Sequence, residues 1–374
     1  NYYSNKYYDI VFGNGGIVRL YDKELKRNIL EKEELVFGDV LEAEYNGNGA
    51  GEFTRITDLI LNMGNIQTLS RYQTNWKITD VGPLSITFQN SRNTPNANII
   101  QRITVYHTMK KIDFDVCIEN FNGAHNRQYR ILFPLNMRLS QSDVCYEVPM
   151  AVSHVGKDEL KRIPGGWSSQ GSYVHHPEDS HPREILDFIS ANGNGFGVTM
   201  SSCVAVGDWK DPTIEVTDYP VLQGILLSSH KSCHGLGNWF HQTGTHDFHF
   251  SIFTHEADWK AGYAKAVEEN HPLQVSFKKE KGGILPSLKS YVTVSDPLVR
   301  VTALKKADNK DGIILRLVEM EGKDKDVTIT LPFEAKSIVK CNVIEDEGEQ
   351  LPCSGNIINL PIGHHAIETL LINF

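Results

Sequence analysis

Histidine is the residue type that stands out for its chemistry in this 374-residue chain. Fifteen histidines are present, and eleven of them lie between His154 and His271. A neutral imidazole is a metal ligand, a general acid or base, and a hydrogen-bond donor and acceptor. The same stretch holds Trp167, Trp209 and Trp239. Imidazole and indole groups together suit three kinds of site: a metal centre, an acid–base catalyst or a carbohydrate surface.

The spacing of these histidines argues against a metal centre. His246 and His249 are an odd number of positions apart, so on one strand they face opposite sides, and the adjacent His175 and His176 have the same difficulty. The chain contains no C-x-x-C pair and no H-E-x-x-H helix, which are the spacings of strong zinc sites. We therefore expect no metal bound by this chain alone.

Two interpretations of the histidine-rich stretch remain open. In the first, the C–H faces of sugars stack on Trp167, Tyr173 and Trp239, and sugar hydroxyls pair with the polar side chains between them. In the second, the aromatic residues cap a β-sandwich and the histidines are solvated or bonded to the backbone. For any single residue the second interpretation is the commoner one.

Carboxylates that cleave a glycoside must stand as a pair, about 5–10 Å apart. Asp208, Asp211, Glu215 and Asp218 crowd one stretch of the sequence, but spacing within a loop does not establish such a pair. We interpret this group as solvated. The chain also has no phosphate-binding P-loop and no G-x-S-x-G nucleophile elbow.

Composition excludes several classes of function. The chain has 46 acidic and 37 basic residues, a net charge of −9, which argues against a nucleic-acid partner because phosphate binding needs clustered Lys and Arg. No apolar run approaches the roughly 20 residues that a membrane helix needs. Six cysteines in this length are not a disulfide framework, so we expect a soluble, folded protein.

The elements that must carry these side chains are mostly β-strands. Ile112, Phe114, Val116 and Ile118 alternate with polar residues, which places one face in a core and the other in water. Short runs of the same kind occupy residues 103–106, 248–253, 313–318 and 327–331, and the turn clusters between elements include residues 13–16, 46–49 and 192–195. Many short strands with regular turns predict an all-β sandwich or barrel.

One helix and one linker interrupt this pattern. Residues 258–270 place Trp259, Tyr263 and Ala266 on one helical face, and Asp258 suits the cap. The polar, glycine-containing stretch 278–283 suits a linker. The two predicted domains are residues 1–277 and residues 284–374.

Several segments become informative when their order is considered. They are residues 8–12, 15–25, 103–106, 112–115, 131–136, 195–198, 246–252, 301–307 and 311–317, with Tyr146-Glu147-Val148-Pro149 and His255-Glu256-Ala257-Asp258-Trp259. Each segment alone is weak. The ordered set spans essentially the whole chain and resembles the C-terminal β region of glycoside hydrolase family 38, the α-mannosidases.

This resemblance implies an all-β fold, with a large galactose-mutarotase-like supersandwich followed by a small C-terminal β-sandwich. It also implies a parent enzyme that hydrolyses terminal α-linked mannose with retention. In that family a separate N-terminal domain holds the zinc and both catalytic carboxylates. Because the chain begins at Asn1 without Met or a signal segment, we expect it to be the C-terminal half of such an enzyme, inactive alone.

The partners implied by the resemblance are mannosides or other glycans and the parent enzyme's own N-terminal catalytic domain. Homo-oligomerisation is open, and so is a cytoplasmic or periplasmic location in a bacterium. No catalytic residue and no metal ligand is expected within this chain.

The family's β region closes the edge of the sugar pocket, in animal members through an arginine-containing loop. The matching stretch here, 227–239, lacks the paired Arg, and the longer loop 165–183 extends the same rim. The candidate substrate-rim residues are Trp167, His175, His176, Arg183, Lys231, His234, Asn238 and Trp239.

Two other functions remain as alternatives. A free-standing carbohydrate-binding module would use Trp167 or Trp239 to bind mannosides without a catalytic partner. A mutarotase-like sugar epimerase would need a histidine acid and a carboxylate base facing one sugar, with His175, His176 or His234 as the acid.

Overall fold

Antiparallel β-strands are the main secondary structure of the described residues, as the sequence predicts. The computed structural model describes residues 2–30, 35–44, 65–159, 182–214, 218–231, 237–277, 282 and 286–374. The chain divides into one unit of Asn1–Glu147 with Ser153–Pro272, and a second unit of Val148–Val152 with Leu273–Phe374. The division falls slightly before the linker that the sequence suggests at 278–283. No helix in the described ranges is long and apolar enough to cross a membrane.

The strands of the first unit follow one another with short turns. They are β1 (Tyr2–Ser4), β2 (Tyr8–Gly13), β3 (Gly16–Asp22), β4 (Arg27–Asn28), β5 (Asp39–Glu44), β6 (Gln67–Thr68), β7 (Lys77–Val81), β8 (Ser85–Asn93), β9 (Asn98–Tyr106), β10 (Ile112–Phe121), β11 (Arg127–Pro134), β12 (Asp143–Val148), β13 (Ala151–His154), β14 (Arg183–Glu184), β15 (Phe188–Gly193), β16 (Phe196–Ser202), β17 (Val206–Asp208), β18 (Val221–Lys231), β19 (Trp239–Phe240) and β20 (Gly244–His255). The helix α1 spans Lys260–Asn270.

Two large sheets dominate this unit. One has nine strands in the order β13-β12-β15-β16-β20-β10-β9-β8-β7. The other has seven, in the order β14-β17-β18-β11-β5-β6 with β19 paired to β18, and β1–β4 form a smaller sheet of four. The predicted turn at 192–195 joins β15 to β16, where Asn194 and Gly195 adopt φ of 51° and 77°. Positive φ at both positions is the geometry that an Asn-Gly hairpin turn requires.

An aromatic seam joins the inner faces of the two large sheets. Phe114 on β10 packs edge-on against Phe37 and Phe133, with ring centroids 5.8 and 5.0 Å away. Phe37 and Phe133 are themselves 5.0 Å apart, and all three side chains are buried. Gly38 lies against Phe114 at a φ of +82°, and an added Cβ would stand 2.3 Å from that ring. The first unit is therefore a pair of large sheets packed face to face, the supersandwich that the resemblance implies.

The second unit is a smaller sandwich. Its strands are β21 (Thr293–Val294), β22 (Val299–Lys306), β23 (Ile313–Glu319), β24 (Lys325–Thr330), β25 (Ser337–Cys341), β26 (Glu347–Leu351), β27 (Ile357–Ile362) and β28 (Ile367–Asn373). They form a three-stranded sheet, β21-β24-β27, and a five-stranded sheet, β22-β23-β28-β25-β26. Alternate residues of both sheets meet in one core that includes Leu317, Ile329, Leu360 and Leu370. The fold prediction of a large β-supersandwich followed by a small β-sandwich is confirmed.

Helix α1 lies on the outer face of the nine-stranded sheet, against β15, β16 and β20. It begins two residues later than predicted, and Asp258 accepts a hydrogen bond from the Lys260 backbone N–H at 3.1 Å. Tyr263 and Ala266 are buried on the predicted face. Gly262 allows the close approach, because an added Cβ would stand 2.1 Å from Oγ1 of Thr199.

His255 belongs to the buried polar layer beneath this helix. Its Nε2 is 2.8 Å from Oγ1 of Thr199, and its Nδ1 is 2.7 Å from the Glu256 carbonyl oxygen. Burial lowers the pKa of His255 to about 4. The imidazole is therefore neutral in the folded protein at every pH above that value, and it is a structural residue in this position.

We expect the stabilising contribution of neutral His255 to the first unit to be lost as the pH drops from about 6.5 to about 4. The unfolded chain protonates His255 near pH 6.5, whereas the folded chain resists until about pH 4, so acid favours unfolding by up to about 3 kcal/mol. Urea unfolding followed by tryptophan fluorescence across this range measures the slope. The difference in stability between the wild type and His255→Gln should change with pH across this range, in the sense that acid destabilises the wild type more than the variant. The exposed His364→Gln should keep the wild-type slope. An unchanged slope in His255→Gln contradicts this account.

Candidate functional site

The pairing of β18 with β19 brings the predicted rim residues Lys231 and Trp239 together. The two strands pair antiparallel, with Lys231 opposite Trp239 and His230 opposite Phe240. The Lys231 ammonium lies over the Trp239 ring, 5.3 Å from its centroid. Asn238, immediately before Trp239, is exposed. Three of the eight candidate rim residues therefore share one surface.

Two histidines outside the predicted rim, His125 and His241, complete this surface. The His125 ring stacks on Trp239, with centroids 3.7 Å apart and planes 13° from parallel. His241 is 6.0 Å from Trp239 and 5.1 Å from His125. Both imidazoles are exposed. We call His125, Lys231, Trp239 and His241 the aromatic platform.

The chemistry of the platform is that of a surface for neutral polar ligands. Flat rings offer apolar faces, and imidazole nitrogens and the Asn238 amide offer donors and acceptors at their edges. One feature of the sequence places His241 beside Trp239. It lies two residues after Trp239, so in an extended chain both side chains are on the same face. Nothing in the sequence indicates that His125 contacts Trp239, since this contact depends on how β11 and β18 pair.

Arg183 lies elsewhere on the same sheet. Its Nε is 2.6 Å from Oε1 of Glu159, and its guanidinium lies over Trp209, 5.3 Å from the ring centroid. Burial alone would raise the pKa of Glu159, but hydrogen bonds from Arg183 and Tyr146 hold it below its usual value.

Strand register measures how far Arg183 is from the platform. Arg183 is opposite Gly207, which is opposite Gly224, and Lys231 lies seven positions further along β18. Seven positions in a strand span about 23 Å. The structure thus does not join Arg183 to Lys231 and Trp239 in one group.

The other four candidates, Trp167, His175, His176 and His234, lie outside the described residues. Their place on the rim stays a prediction.

Two residues of the acidic stretch, Asp208 and Asp211, are buried. The prediction that this stretch is solvated is therefore wrong for both. Asp208 is fully buried and accepts a hydrogen bond from Nη1 of Arg130 at 2.9 Å, and Arg130 also donates to Gln223 at 2.9 Å. Asp211 is 4% exposed and accepts hydrogen bonds from both the backbone N–H and the hydroxyl of Thr213. A guanidinium and local donors explain why these carboxylates are tolerated in the interior. Neither belongs to the aromatic platform.

Two groups among the described residues hold metal-ligand atoms within 4.8 Å of one another. The first consists of Asp113, His249 and Glu269 and lies beside Lys111 at the C-terminal end of helix α1. We call Tyr106, Lys111, Asp113, Ser251 and Glu269 the Lys111 cluster. Nζ of Lys111 lies 2.6 Å from Oε1 of Glu269 and 3.3 Å from Oδ1 of Asp113. Asp113 also accepts hydrogen bonds from Tyr106 and Ser251, each at 2.6 Å. A lysine already occupies the position that a cation would take.

His249 stands at the exposed edge of the Lys111 cluster. Its Nδ1 is 2.7 Å from Oδ1 of Asp115, and this hydrogen bond raises the pKa of the imidazole, although burial opposes the shift. Cys203 accepts a hydrogen bond from the His249 backbone N–H at 3.2 Å.

The second group, Asp143, Cys145 and His154, lies on the hairpin of β12 and β13, and we call it the Cys145 cluster. Nδ1 of His154 is 2.7 Å from Oδ2 of Asp143, and Lys157 donates to Oδ1 at 2.6 Å. Burial would raise the pKa of Asp143, but these two hydrogen bonds hold it below its usual value. Burial raises the pKa of the Cys145 thiol, and the charge of Asp143 raises it further. Neither group includes a residue of the aromatic platform.

Part of the sequence matches the model of a known protein family. Residues 298–370 match the family model of the glycosyl hydrolases family 38 C-terminal beta sandwich domain. The second unit therefore contains a family 38 C-terminal β-sandwich domain. The matched segment lies within the second unit, so none of the eight candidate rim residues falls inside it.

Two solved structures from Enterococcus faecalis are similar to the whole of this chain. A protein in the glycosyl hydrolase family 38 aligns at a TM-score of 0.72 and 13% identity, covering 100% of this chain and 44% of its own. An alpha-mannosidase from strain V583 aligns at 0.73 and 13% identity, covering 100% and 42%. This chain therefore spans less than half the length of either protein, and at this identity the likeness shows the fold. No curated protein matches its sequence.

We expect Lys111→Met to destabilise the first unit by about 3–5 kcal/mol, because it leaves Asp113 and Glu269 without their internal cation. Lys157→Met is the matched control: its side chain is 65% exposed and its ion pair with Asp143 should contribute less than about 1 kcal/mol. Urea unfolding at neutral pH measures both variants. If Lys111→Met and Lys157→Met lowered the free energy of unfolding equally, burial of the Lys111 cluster would not add to its contribution to stability.

Proposed function

We propose that this chain is the C-terminal, carbohydrate-contacting half of a retaining α-mannosidase that removes terminal α-linked mannose. The observation that carries the proposal is the alignment of the entire chain with less than half of a glycosyl hydrolase family 38 protein and less than half of an alpha-mannosidase. The family 38 match at 298–370 supports it independently.

The chemical step belongs to the parent enzyme's catalytic domain. In a retaining glycosidase one carboxylate attacks the anomeric carbon, a second carboxyl group protonates the leaving oxygen, and water then releases the glycosyl-enzyme. Asp208 and Asp113, two buried acids among the described residues, do not suit that work. Asp208 is held by Arg130, and Asp113 by Lys111, Tyr106 and Ser251.

The divalent metal of the family is likewise expected on the catalytic domain. The platform histidines do not fit such an ion, because His125 and His241 stack around Trp239 instead of converging with a carboxylate on one point. We assign to this chain the part of the reaction that precedes bond cleavage, which is to hold outer sugars against the platform.

The β half alone should not hydrolyse an aryl α-mannoside, with or without added zinc, because it lacks a positioned nucleophile and acid. Release of the aryl alcohol, followed by absorbance at high enzyme concentration, checks this expectation. Turnover that survives repurification and scales with protein concentration would overturn the proposal.

The platform is tested separately by binding. Titration calorimetry with an α-linked mannobiose should show weak binding, and Trp239→Ala should lower the affinity about two- to tenfold through loss of the stacking surface. Phe240→Ala is the matched control, because Phe240 is the adjacent aromatic residue of β19 and points to the opposite face. If the two variants bind alike, the platform is not the sugar contact.

A free-standing carbohydrate-binding module is the second candidate, and the exposed platform favours it. Tight mannoside binding by the isolated chain, together with no effect of an added family 38 catalytic domain, would select that candidate instead.

A further inference from the structure

The Cys145 cluster holds three different ligand types on one face of a hairpin. Asp143 and Cys145 are two positions apart on β12 and so share a face. The Val155 backbone N–H donates to the Val144 carbonyl at 2.9 Å, a register that sets His154 on β13 beside Cys145. One ligand atom from each residue lies within 4.8 Å of the other two.

The burial of the three residues resembles a pocket with an open mouth. The Cys145 side chain is fully buried, whereas the side chains of His154 and Asp143 are 21% and 28% exposed. A thiol therefore forms the floor, and an imidazole and a carboxylate form the entrance from solvent.

The charge around this pocket favours a cation. Asp158 accepts a hydrogen bond from the His154 backbone N–H at 2.9 Å, and Asp258, before helix α1, is near enough for its charge to act on Cys145. With Asp143 these make three carboxylates. The facing cation is Lys157, whose side chain is 65% exposed.

The Lys111 cluster shows what a filled site of this kind looks like. There the lysine side chain is only 10% exposed and is bound by two carboxylates. Lys157 contacts only the outer oxygen of Asp143 and has open solvent into which it can swing. Displacing Lys157 costs a surface ion pair, about 0–1 kcal/mol, whereas displacing Lys111 costs a buried one.

We propose that Asp143, Cys145 and His154 form a binding site for a divalent transition-metal ion of the zinc type. A thiolate, an imidazole and a carboxylate are the donor set of borderline-soft ions, and they disfavour Mg²⁺ and Ca²⁺, which take oxygen ligands. Three protein ligands leave the fourth tetrahedral position to water or a nearby carboxylate. On binding, the thiol releases its proton to solvent and the metal–sulfur bond replaces the S–H bond.

This site is independent of the proposed mannosidase role and lies apart from the aromatic platform. The expectation that this chain binds no metal by itself rests on the spacing of histidines in the sequence. The histidine spacings behind that expectation concern residues on one strand, and the Cys145 cluster is built across two. Its ion would tie β12 to β13 beside Trp259, whose ring meets His154 edge-on at 6.1 Å.

Titration of the reduced chain with Co²⁺ tests the site, because a cobalt–thiolate bond produces a charge-transfer absorption in the near ultraviolet. We expect one equivalent to bind, with displacement by Zn²⁺. Cys145→Ser should abolish the charge-transfer absorption. His154→Gln and Asp143→Asn should weaken binding by at least about tenfold to a hundredfold.

Cys203→Ser and His249→Gln are the matched controls, because they remove a thiol and an imidazole beside the Lys111 cluster. Both should retain the cobalt absorption. Cys145→Ser places a hydroxyl in a buried position, so His154→Gln and Asp143→Asn, which are partly exposed, decide the test if that variant does not fold. Circular dichroism establishes folding in each variant.

Thermal unfolding supplies a readout without cobalt. Zinc should raise the Tm of the wild type and of Cys203→Ser, but not of His154→Gln, since only a folded site binds the ion. No charge-transfer absorption in the wild type, or an absorption that Cys203→Ser removes and Asp143→Asn leaves unchanged, overturns the proposal.

Discussion

The packing of two large apolar sheet faces against each other is the constraint on which the first unit depends. Phe37, Phe114 and Phe133 meet at that interface, and Gly38 keeps the backbone clear of the Phe114 ring. Each aromatic side chain contributes a large area removed from water, which is the main favourable term in folding. Because the inner faces are committed to this core, polar and charged residues are placed on outer faces, strand ends and hairpins.

Charge inside this framework is compensated locally. Asp208 is matched by Arg130, and Asp113 and Glu269 are matched by Lys111. A buried charge without a partner lowers the stability of the folded state by several kcal/mol. Each of these carboxylates is therefore held in an ion pair that stabilises the fold and is not available for catalysis. Asp208 and Asp113 are therefore structural residues in this fold.

Surfaces that remain available lie where strands end. The aromatic platform forms where the end of β18 pairs with β19, and the Cys145 cluster forms on the hairpin of β12 and β13. Strand ends and hairpins are where a sheet presents side chains without also burying them on both sides. One surface offers flat rings and neutral donors, and the other offers sulfur, nitrogen and oxygen ligands within a negative field. The two surfaces suit different ligands for that reason.

The sequence predicts the local features well because their causes are local. Alternation in residues 112–118 indicates a strand with one buried face, and the Asn-Gly pair at 194–195 indicates the hairpin between β15 and β16. Helix α1 was predicted from its apolar face, and only its start differs, since helix ends vary by one or two residues. The solvated interpretation of Asp208 was wrong because its partner, Arg130, is 78 residues away in sequence.

By itself, then, the sequence determined that this chain is an all-β protein with a second small sandwich and a family 38 pattern. Periodicity, turn residues and segment order carry that information along the chain. Only the tertiary structure decided which side chains meet. His125 stacks on Trp239, Lys111 reaches Glu269 across 158 positions, and Cys145 faces His154, because strand pairing and register bring them together. A shift of one residue in register would turn each of these side chains to the other face of its sheet.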